Sequence, residues 1–240
     1  MRREGSGSAA IFRFWGSCRS DVSFTDIRNI TERHHIVNIG ITCYPTYGGS
    51  GVVATELGLA LAERGHEVHF VSYASPFRLQ HFYERVYFHA VEQSTYPLFE
   101  FNMYSLALAS KLVEVAQYQK LDIMHMHYAI PHAVSGFLAR EIVGRGKVKL
   151  ITTLHGTDST LVGLEPSFLP LMRFSIQESD GVTTVSRFLK EKTLTSYNIE
   201  KDIEIIPNFV NTSIFAPSES PVLRKRIAPN GEKILTHISN

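Results

Sequence analysis

Three glycines and one serine, Gly48-Gly49-Ser50-Gly51, separate a β-branched segment from an amphipathic one. Because glycine has no Cβ, such a stretch lets a ligand approach the backbone closely. The amphipathic segment predicts a helix that begins at about Val52, and its N-terminal N–H groups and positive dipole end favour an anion. The stretch therefore predicts a site for a phosphate or a carboxylate. The alternative is a tight strand–helix turn that binds nothing.

Two nucleotide-binding motifs can be compared with this stretch. Gly49-x-Gly51-x-x-Ala54 matches the dinucleotide fingerprint in form, but the next predicted strand ends in Ser72 and Tyr73, where that fingerprint needs a ribose-binding Asp or Glu. A Walker motif is excluded because no Gly-Lys-Ser/Thr follows the glycines. The sequence thus disfavours NAD and a P-loop, and it leaves the identity of the anion open.

Histidines form a second group of residues that could do chemistry. His125 and His127 are two apart in a predicted strand, so they lie on one face of it, and His132 opens the next helix. A zinc site would need further ligands, and no carboxylate or cysteine lies nearby in the sequence. We therefore expect no metal, and we expect these histidines to line a cleft or to pack in the core.

A further histidine stands where another predicted strand ends. His155 follows Thr152-Thr153-Leu154 and is followed by Gly-Thr-Asp. Polar residues at the carboxyl end of a parallel strand are placed for binding or catalysis, so His155 is the catalytic candidate. Asp158 has the alternative of capping a turn.

Strand and helix patterns alternate from residue 36 onwards. Strands are predicted at 36–43, 67–72, 86–91, 122–127, 147–154, 181–185 and 203–206. Helices are predicted at 52–64, 103–119, 131–143, 167–178 and 187–197, the last capped by Ser186. This alternation predicts an α/β fold with an open, doubly wound, parallel sheet of the Rossmann-like type. Ligands of such sheets bind outside the carboxyl ends of the strands, where the glycines and His155 stand.

Composition excludes several classes of protein. The formal net charge of the 240 residues is +1, which gives no electrostatic footprint for nucleic acid. Cys18 and Cys43 are too few for a disulfide scaffold, and they favour a cytoplasmic setting. The longest apolar stretches have the length of strands, so no membrane span is expected.

Residues 1–35 differ from the rest of the chain. They combine six arginines, four acids and a Gly/Ser run, without the continuous apolar core of a signal peptide. The acids argue against an organellar transit peptide. We expect a poorly ordered N-terminal extension that adds little to the fold.

Five segments carry a resemblance to a known family: "IGITCYPTYGGSGVVATELGLALAERGHEVHF", "HMHYAIPHAV", "TTLHGTDSTLVG", "VTTVSRFLKE" and "IPNFVN". Together they resemble the N-terminal half of a family 4 glycosyltransferase and, within that family, the enzymes of bacillithiol biosynthesis. The resemblance implies the GT-B architecture of two Rossmann-like domains. Residues 36–231 would form the acceptor-side domain, and residues 232–240 would begin the donor-binding domain. It also implies retaining transfer of N-acetylglucosamine from UDP-GlcNAc to the hydroxyl of L-malate, with no metal or other cofactor.

The resemblance also implies roles for individual residues. Gly49-Ser50-Gly51 would lie beside the donor diphosphate and the acceptor. Tyr128 and Thr153 would offer hydroxyls to malate, and His155 would lie near the transferred sugar. Asn208 would line the cleft near the hinge.

The sequence stops at "EKILTHISN", which resembles the first strand of the second domain, at residues 233–239. The basic residues, uracil pocket and paired glutamates of that domain are absent from the 240 residues. We therefore expect a truncated chain that has no useful turnover alone. A homo-oligomer and a separately encoded C-terminal half stay open as partners. The alternative function is a non-enzymatic remnant that binds a small carboxylate or a partner protein.

Overall fold

The computed structural model describes residues 36–46, 48–92, 103–157 and 165–237. The extension predicted at residues 1–35 lies outside the described residues. The chain divides into two compact units, one ending at Asn208 and the other beginning at Phe209. The predicted domain boundary at residue 232 stays a prediction.

A parallel sheet forms the centre of the first unit. In the described residues it has seven strands in the order β3-β2-β1-β4-β5-β6-β7, and every neighbouring pair is parallel. The strands are β1 Asn38–Thr42, β2 Glu67–Ser72, β3 Val86–Ala90, β4 Ile123–His127, β5 Lys149–Leu154, β6 Gly181–Thr184 and β7 Glu204–Ile205. This arrangement confirms the predicted α/β fold.

Helices connect most of these strands. They are α1 Gly49–Ala62, α2 Tyr104–Tyr118, α3 Val134–Val143, α4 Leu169–Glu178 and α5 Arg187–Tyr197. The Ser186 Oγ accepts a hydrogen bond from the Leu189 N–H, so the predicted cap of α5 is confirmed. The helix predicted from residue 131 is partly wrong, because α3 begins at Val134 and the segment Ala129–Ala133 before it is kinked, with Ile130 in an extended conformation (φ −122°, ψ 130°).

The core lies on both faces of the sheet. On one face, Ile39, Ile41 and Phe70 pack with Leu57 and Leu61 of α1. Buried residues of the other face are Val71, Met124, Met126 and Leu150 from the strands, with Leu108 and Leu112 from α2. Covering both faces explains why the strands read as nearly continuous apolar runs.

The order of the strands determines where a ligand can bind. The chain moves outwards from β1 to β2 and β3, and then returns to β4 on the other side of β1. In open parallel sheets a ligand crevice lies outside the carboxyl ends of the strands at such a reversal, which here falls between β1 and β4. Tyr44 and Tyr128 follow those two strands, so the crevice lies beside them.

An ion network stabilises the opposite end of the sheet. The buried Arg140 of α3 donates to the Asp180 carboxylate at 3.0 Å and to the Glu178 carbonyl at 2.8 Å. Asp180 also accepts from the Leu150 N–H at 2.9 Å and from Lys149 at 3.1 Å. The network joins α3 and α4 to the starts of β5 and β6.

Replacing Arg140 with Met should therefore destabilise the fold, because Asp180 and the Glu178 carbonyl would both lose the buried guanidinium as a donor. We expect a loss of about 2–3 kcal/mol, less than for a fully buried pair because Asp180 is 25% exposed. Arg145, which is 62% exposed, offers a matched control. Arg145→Met should change the free energy of unfolding by less than about 1 kcal/mol. Equal losses in urea denaturation of the two variants would contradict this account.

The second unit contains helix α6 at Pro221–Ile227. The strand predicted at residues 233–239 is wrong for its described part, because residues 233–237 lie in no strand. A strand needs a neighbouring strand that completes its hydrogen bonds, and the described part of this unit contains no other strand. No helix among the described residues is long and apolar enough to cross a membrane.

Candidate functional site

The first turn of α1 lies at the predicted anion site. The helix begins at Gly49, three residues earlier than predicted, so Gly49, Ser50 and Gly51 belong to the helix and not to a loop. The Val52 N–H bonds to the Gly48 carbonyl at 3.3 Å. The amides of residues 49–51 precede that bond and have no backbone acceptor among the described residues, so they are the donors that an anion would meet.

The glycines of this turn have different surroundings. A Cβ on Gly51 would lie 2.4 Å from the Tyr44 carbonyl oxygen and 2.9 Å from that of Thr46. Gly51 is therefore required by the turn itself, apart from any ligand. A Cβ on Gly49 would meet nothing within 4 Å. Gly49 faces open space, which fits the close approach of a ligand predicted for this stretch.

A hydrogen bond connects α1 to the end of β4. The Tyr128 hydroxyl donates to the Ser50 Oγ at 3.0 Å. Tyr128 has a φ of 96°, a left-handed conformation that is strained for a tyrosine and is held by its surroundings. Its N–H bonds to the Thr153 carbonyl at 3.0 Å. The structure thus brings Ser50 and Tyr128 together at the crevice, with the Tyr44 ring edge-on at 5.2 Å.

Two histidines form a pair between β4 and β5. His127 Nδ1 lies 2.8 Å from His155 Nε2. The ring centres are 5.0 Å apart and the planes differ by 21°, so the rings are nearly parallel. Burial lowers the pKa of His155 to about 4 and that of His127 well below its usual value. Both rings are therefore neutral at pH 7, and the His155 ring lies 5.5 Å from that of Tyr128.

Thr153 lies behind this pair. Its hydroxyl is 2.6 Å from His125 Nε2 and 2.6 Å from the Thr183 hydroxyl, and the residue is 8% exposed. Burial lowers the pKa of His125 to about 3, so it too is neutral. In this structure Thr153 supports the site from the sheet, and its predicted contact with malate stays a prediction.

The buried His132 completes the group. Its Nδ1–H donates to the His127 carbonyl, and burial lowers its pKa to about 4. Its ring packs 4.6 Å from that of Tyr44. Tyr44 and Thr183 had no predicted role, although both stand at the carboxyl ends of strands and the same rule could have indicated them.

The remaining predicted residues are less central. Asn208 is exposed and follows β7, and no hydrogen bond joins it to the described residues of the crevice. Asp158 lies outside the described residues.

Within the described ranges, no three His, Cys, Asp or Glu side chains are grouped to hold a metal ion. The buried Cys43 has its thiol pKa raised to about 12 by burial, so it is an unreactive neighbour of the crevice.

Solved structures share this fold. A glycosyltransferase from Rickettsia africae superimposes with a TM-score of 0.63 at 22% identity, covering 82% of this chain and 49% of that one. Alr3699/HepE from Anabaena, solved in complex with UDP-glucose, gives a TM-score of 0.60 at 14% identity, covering 82% and 51%. At such identities the likeness shows the fold alone.

Sequence comparison is more specific. N-acetyl-alpha-D-glucosaminyl L-malate synthase from Bacillus anthracis is 49% identical over 205 residues, which are 85% of this chain and 54% of that enzyme. The chain therefore spans about half the length of this curated relative. Residues 47–214 match the family described as Glycosyltransferase Family 4. That match covers well over half of the chain, which belongs to glycosyltransferase family 4.

Proposed function

We propose that this chain provides the acceptor side of a retaining glycosyltransferase that moves N-acetylglucosamine from UDP-GlcNAc to the hydroxyl of L-malate. The observation that carries the proposal is the meeting of the first turn of α1 with the Ser50–Tyr128 hydroxyl pair at the crevice. The 49% identity to the N-acetyl-alpha-D-glucosaminyl L-malate synthase from Bacillus anthracis supports this substrate pair.

The chemistry of the crevice suits both substrates. Malate carries two carboxylates, and the donor carries a diphosphate. The amides of residues 49–51 and the positive end of the α1 dipole favour such anions. The Ser50 hydroxyl already accepts from Tyr128, so its own proton is available for a carboxylate oxygen.

His155 is suited to positioning the sugar and not to removing a proton from malate. With a pKa of about 4, its imidazole is neutral at pH 7 but too weak a base for an alcohol. A neutral imidazole can still donate one hydrogen bond and accept another. We therefore assign His155 to hydrogen bonding with the transferred sugar.

The malate hydroxyl then attacks the anomeric carbon of the sugar on the same face from which the diphosphate departs. A bond forms between the malate hydroxyl oxygen and the anomeric carbon, and the bond from that carbon to the diphosphate oxygen breaks. The hydroxyl proton passes to the departing diphosphate, which accounts for a crevice without a general base. The protein contributes positioning and electrostatic stabilisation.

Ser50→Ala tests the malate site directly. Removing this hydroxyl should weaken malate binding by about 1–3 kcal/mol, because a charge-assisted hydrogen bond to a carboxylate is lost. Tyr128→Phe should have a smaller effect of the same sign, since it removes only the partner of Ser50. Calorimetric titration with L-malate measures both. The exposed Ser196 of α5 provides a matched control, and Ser196→Ala should bind as the unchanged chain does. Unchanged affinity in Ser50→Ala would contradict the assignment.

The activity itself is tested by UDP release from UDP-GlcNAc with a panel of hydroxy acids. Two samples are compared: the 240-residue chain, and the same chain joined to the second half of the Bacillus anthracis relative. We expect malate-dependent UDP release from the joined protein and little from the chain alone. Release that ignores malate would overturn the acceptor, and malate binding without release in either sample would favour the non-enzymatic alternative.

A further inference from the structure

The contact between His127 and His155 raises the question of which ring donates. Both rings are neutral, so a single proton lies between His127 Nδ1 and His155 Nε2. With the two nitrogens 2.8 Å apart, the N–H of one ring is directed at the lone pair of the other. Two tautomer pairs satisfy this bond, and they differ in what His155 offers to a ligand.

The other nitrogen of His127 decides between them. His127 is 1% exposed, and its Nε2 has no hydrogen-bond partner among the described residues. If Nδ1 accepted from His155, the proton of neutral His127 would lie on Nε2, as a buried N–H without an acceptor. Buried donors without a partner are rarer in proteins than buried acceptors without one. The proton of His127 is therefore on Nδ1.

We propose that His127 is a positioning residue that donates from Nδ1 to Nε2 of His155 and so holds His155 with its own proton on Nδ1. His155 then offers an N–H, and not a lone pair, on the side of its ring away from His127. That N–H would serve as the donor to a sugar hydroxyl, and this last step rests on the proposed function.

The surroundings of His127 support a fixed orientation. The residue ends β4, and the His132 Nδ1–H donates to its carbonyl. Its backbone is paired in register with Thr153, two residues before His155. Strand pairing, the buried His132 and the ring-to-ring bond thus place both imidazoles without a charged group.

The tautomer is measured on the ligand-free 240-residue chain by nitrogen-15 NMR with labelled histidine, because protonated and lone-pair ring nitrogens have different shifts. We expect His155 at neutral pH to carry its proton on Nδ1. In His127→Phe, which keeps a ring but removes the donor, His155 should populate both tautomers. His127→Asn should keep the Nδ1–H form, since its side-chain amide can donate from nearly the same position as Nδ1.

His125→Asn is the matched control, because His125 is a buried neighbour on the same strand and its Nε2 lies 2.6 Å from the Thr153 hydroxyl. It should leave the His155 tautomer unchanged. A proton on Nε2 of His155 in the unchanged chain would overturn the proposal. A His155 tautomer that is the same in His127→Phe as in the unchanged chain would also overturn it. Should His127→Phe fail to fold, the unchanged chain and His127→Asn decide the outcome.

A kinetic measurement on the joined protein separates this proposal from the proposed function. His127→Phe should lower kcat by between about 10- and 100-fold while the KM for malate changes little, and His127→Asn should restore most of the rate. A joined protein without activity, whose His155 still carries its proton on Nδ1, would reject the glycosyltransferase and leave the role of His127 intact. An active joined protein whose His155 carries its proton on Nε2 would support the glycosyltransferase and reject the role of His127.

Discussion

The free energy of unfolding is expected to fall by about 5 kcal/mol or more between about pH 7.5 and pH 4.5. The reason is a set of buried histidines that are neutral in the folded chain. Burial lowers the pKa of His69, His132 and His155 to about 4 and that of His125 to about 3, from the usual 6.5. His127 is lowered further by the same cause.

The sign follows from where each state takes up protons. Above about pH 6.5 these histidines are neutral in both states, so their burial carries no pH-dependent penalty. Between about 6.5 and 4 the unfolded chain binds protons and the folded chain does not, so stability is lost as the pH falls. From about pH 6.5 to 4.5, an interval of two pH units, one such histidine loses about 2.7 kcal/mol of stability. Two independently titrating histidines would therefore remove about 5 kcal/mol. That is the lower limit of the whole stability of a typical domain.

Urea denaturation followed by circular dichroism at several pH values, at one ionic strength, measures this loss. Asp180 separates carboxyl effects from histidine effects, because its pKa is lowered from 3.8 and its contribution disappears only below that value. His69→Gln removes one histidine from β2, away from the crevice strands, and should make the loss smaller. A free energy of unfolding that stays level from about pH 7.5 to 4.5 would contradict the neutral state of these side chains.

Much of the candidate site was predictable because its residues follow one rule. Tyr128 and His155 stand at the ends of strands β4 and β5, and Ser50 lies in the first turn of the helix after β1. In a parallel sheet these ends meet at one edge, and the reversal of strand order places them at the crevice. Period-2 spacing likewise predicted that His125 and His127 share a face, and their ring centres are 4.5 Å apart.

Other features depend on contacts that the sequence does not show. Thr153 and His155 are equally close to the end of β5. The Thr153 hydroxyl nevertheless bonds to Thr183 on the neighbouring strand β6, whereas the His155 ring bonds to His127 of β4. Strand register and ring orientation decide this, and neither can be read from spacing. The kinked segment Ala129–Ala133 after Tyr128 was missed for the same reason, since a helical pattern from residue 131 does not reveal the entry path of the chain.

The two glycines at the start of α1 are expected to respond oppositely to the same substitution. Gly51→Ala should destabilise the fold by about 4 kcal/mol, because the new Cβ would lie 2.4 Å from the backbone oxygen of Tyr44, which cannot rotate away as a side chain would. Gly49→Ala meets nothing within 4 Å and removes a flexible residue from a helix. It should leave stability unchanged or raise it by about 0.5–1 kcal/mol.

For ligand binding, Gly49 and not Gly51 is the position where the substitution should have the large effect. If the donor diphosphate or malate approaches the amides of residues 49–51, the methyl group of Gly49→Ala occupies the space that the ligand needs. We expect Gly49→Ala to fold as the unchanged chain does and to lose most of its affinity for malate in calorimetric titration, or for UDP-GlcNAc in the joined protein. Thermal unfolding and titration of the same preparations separate the two effects. Full affinity for both ligands in a stable Gly49→Ala variant would show that Gly48-Gly49-Ser50-Gly51 is a tight strand–helix turn and that the anion binds elsewhere. A Gly51→Ala variant as stable as the unchanged chain would refute the close packing of α1 against the end of β1.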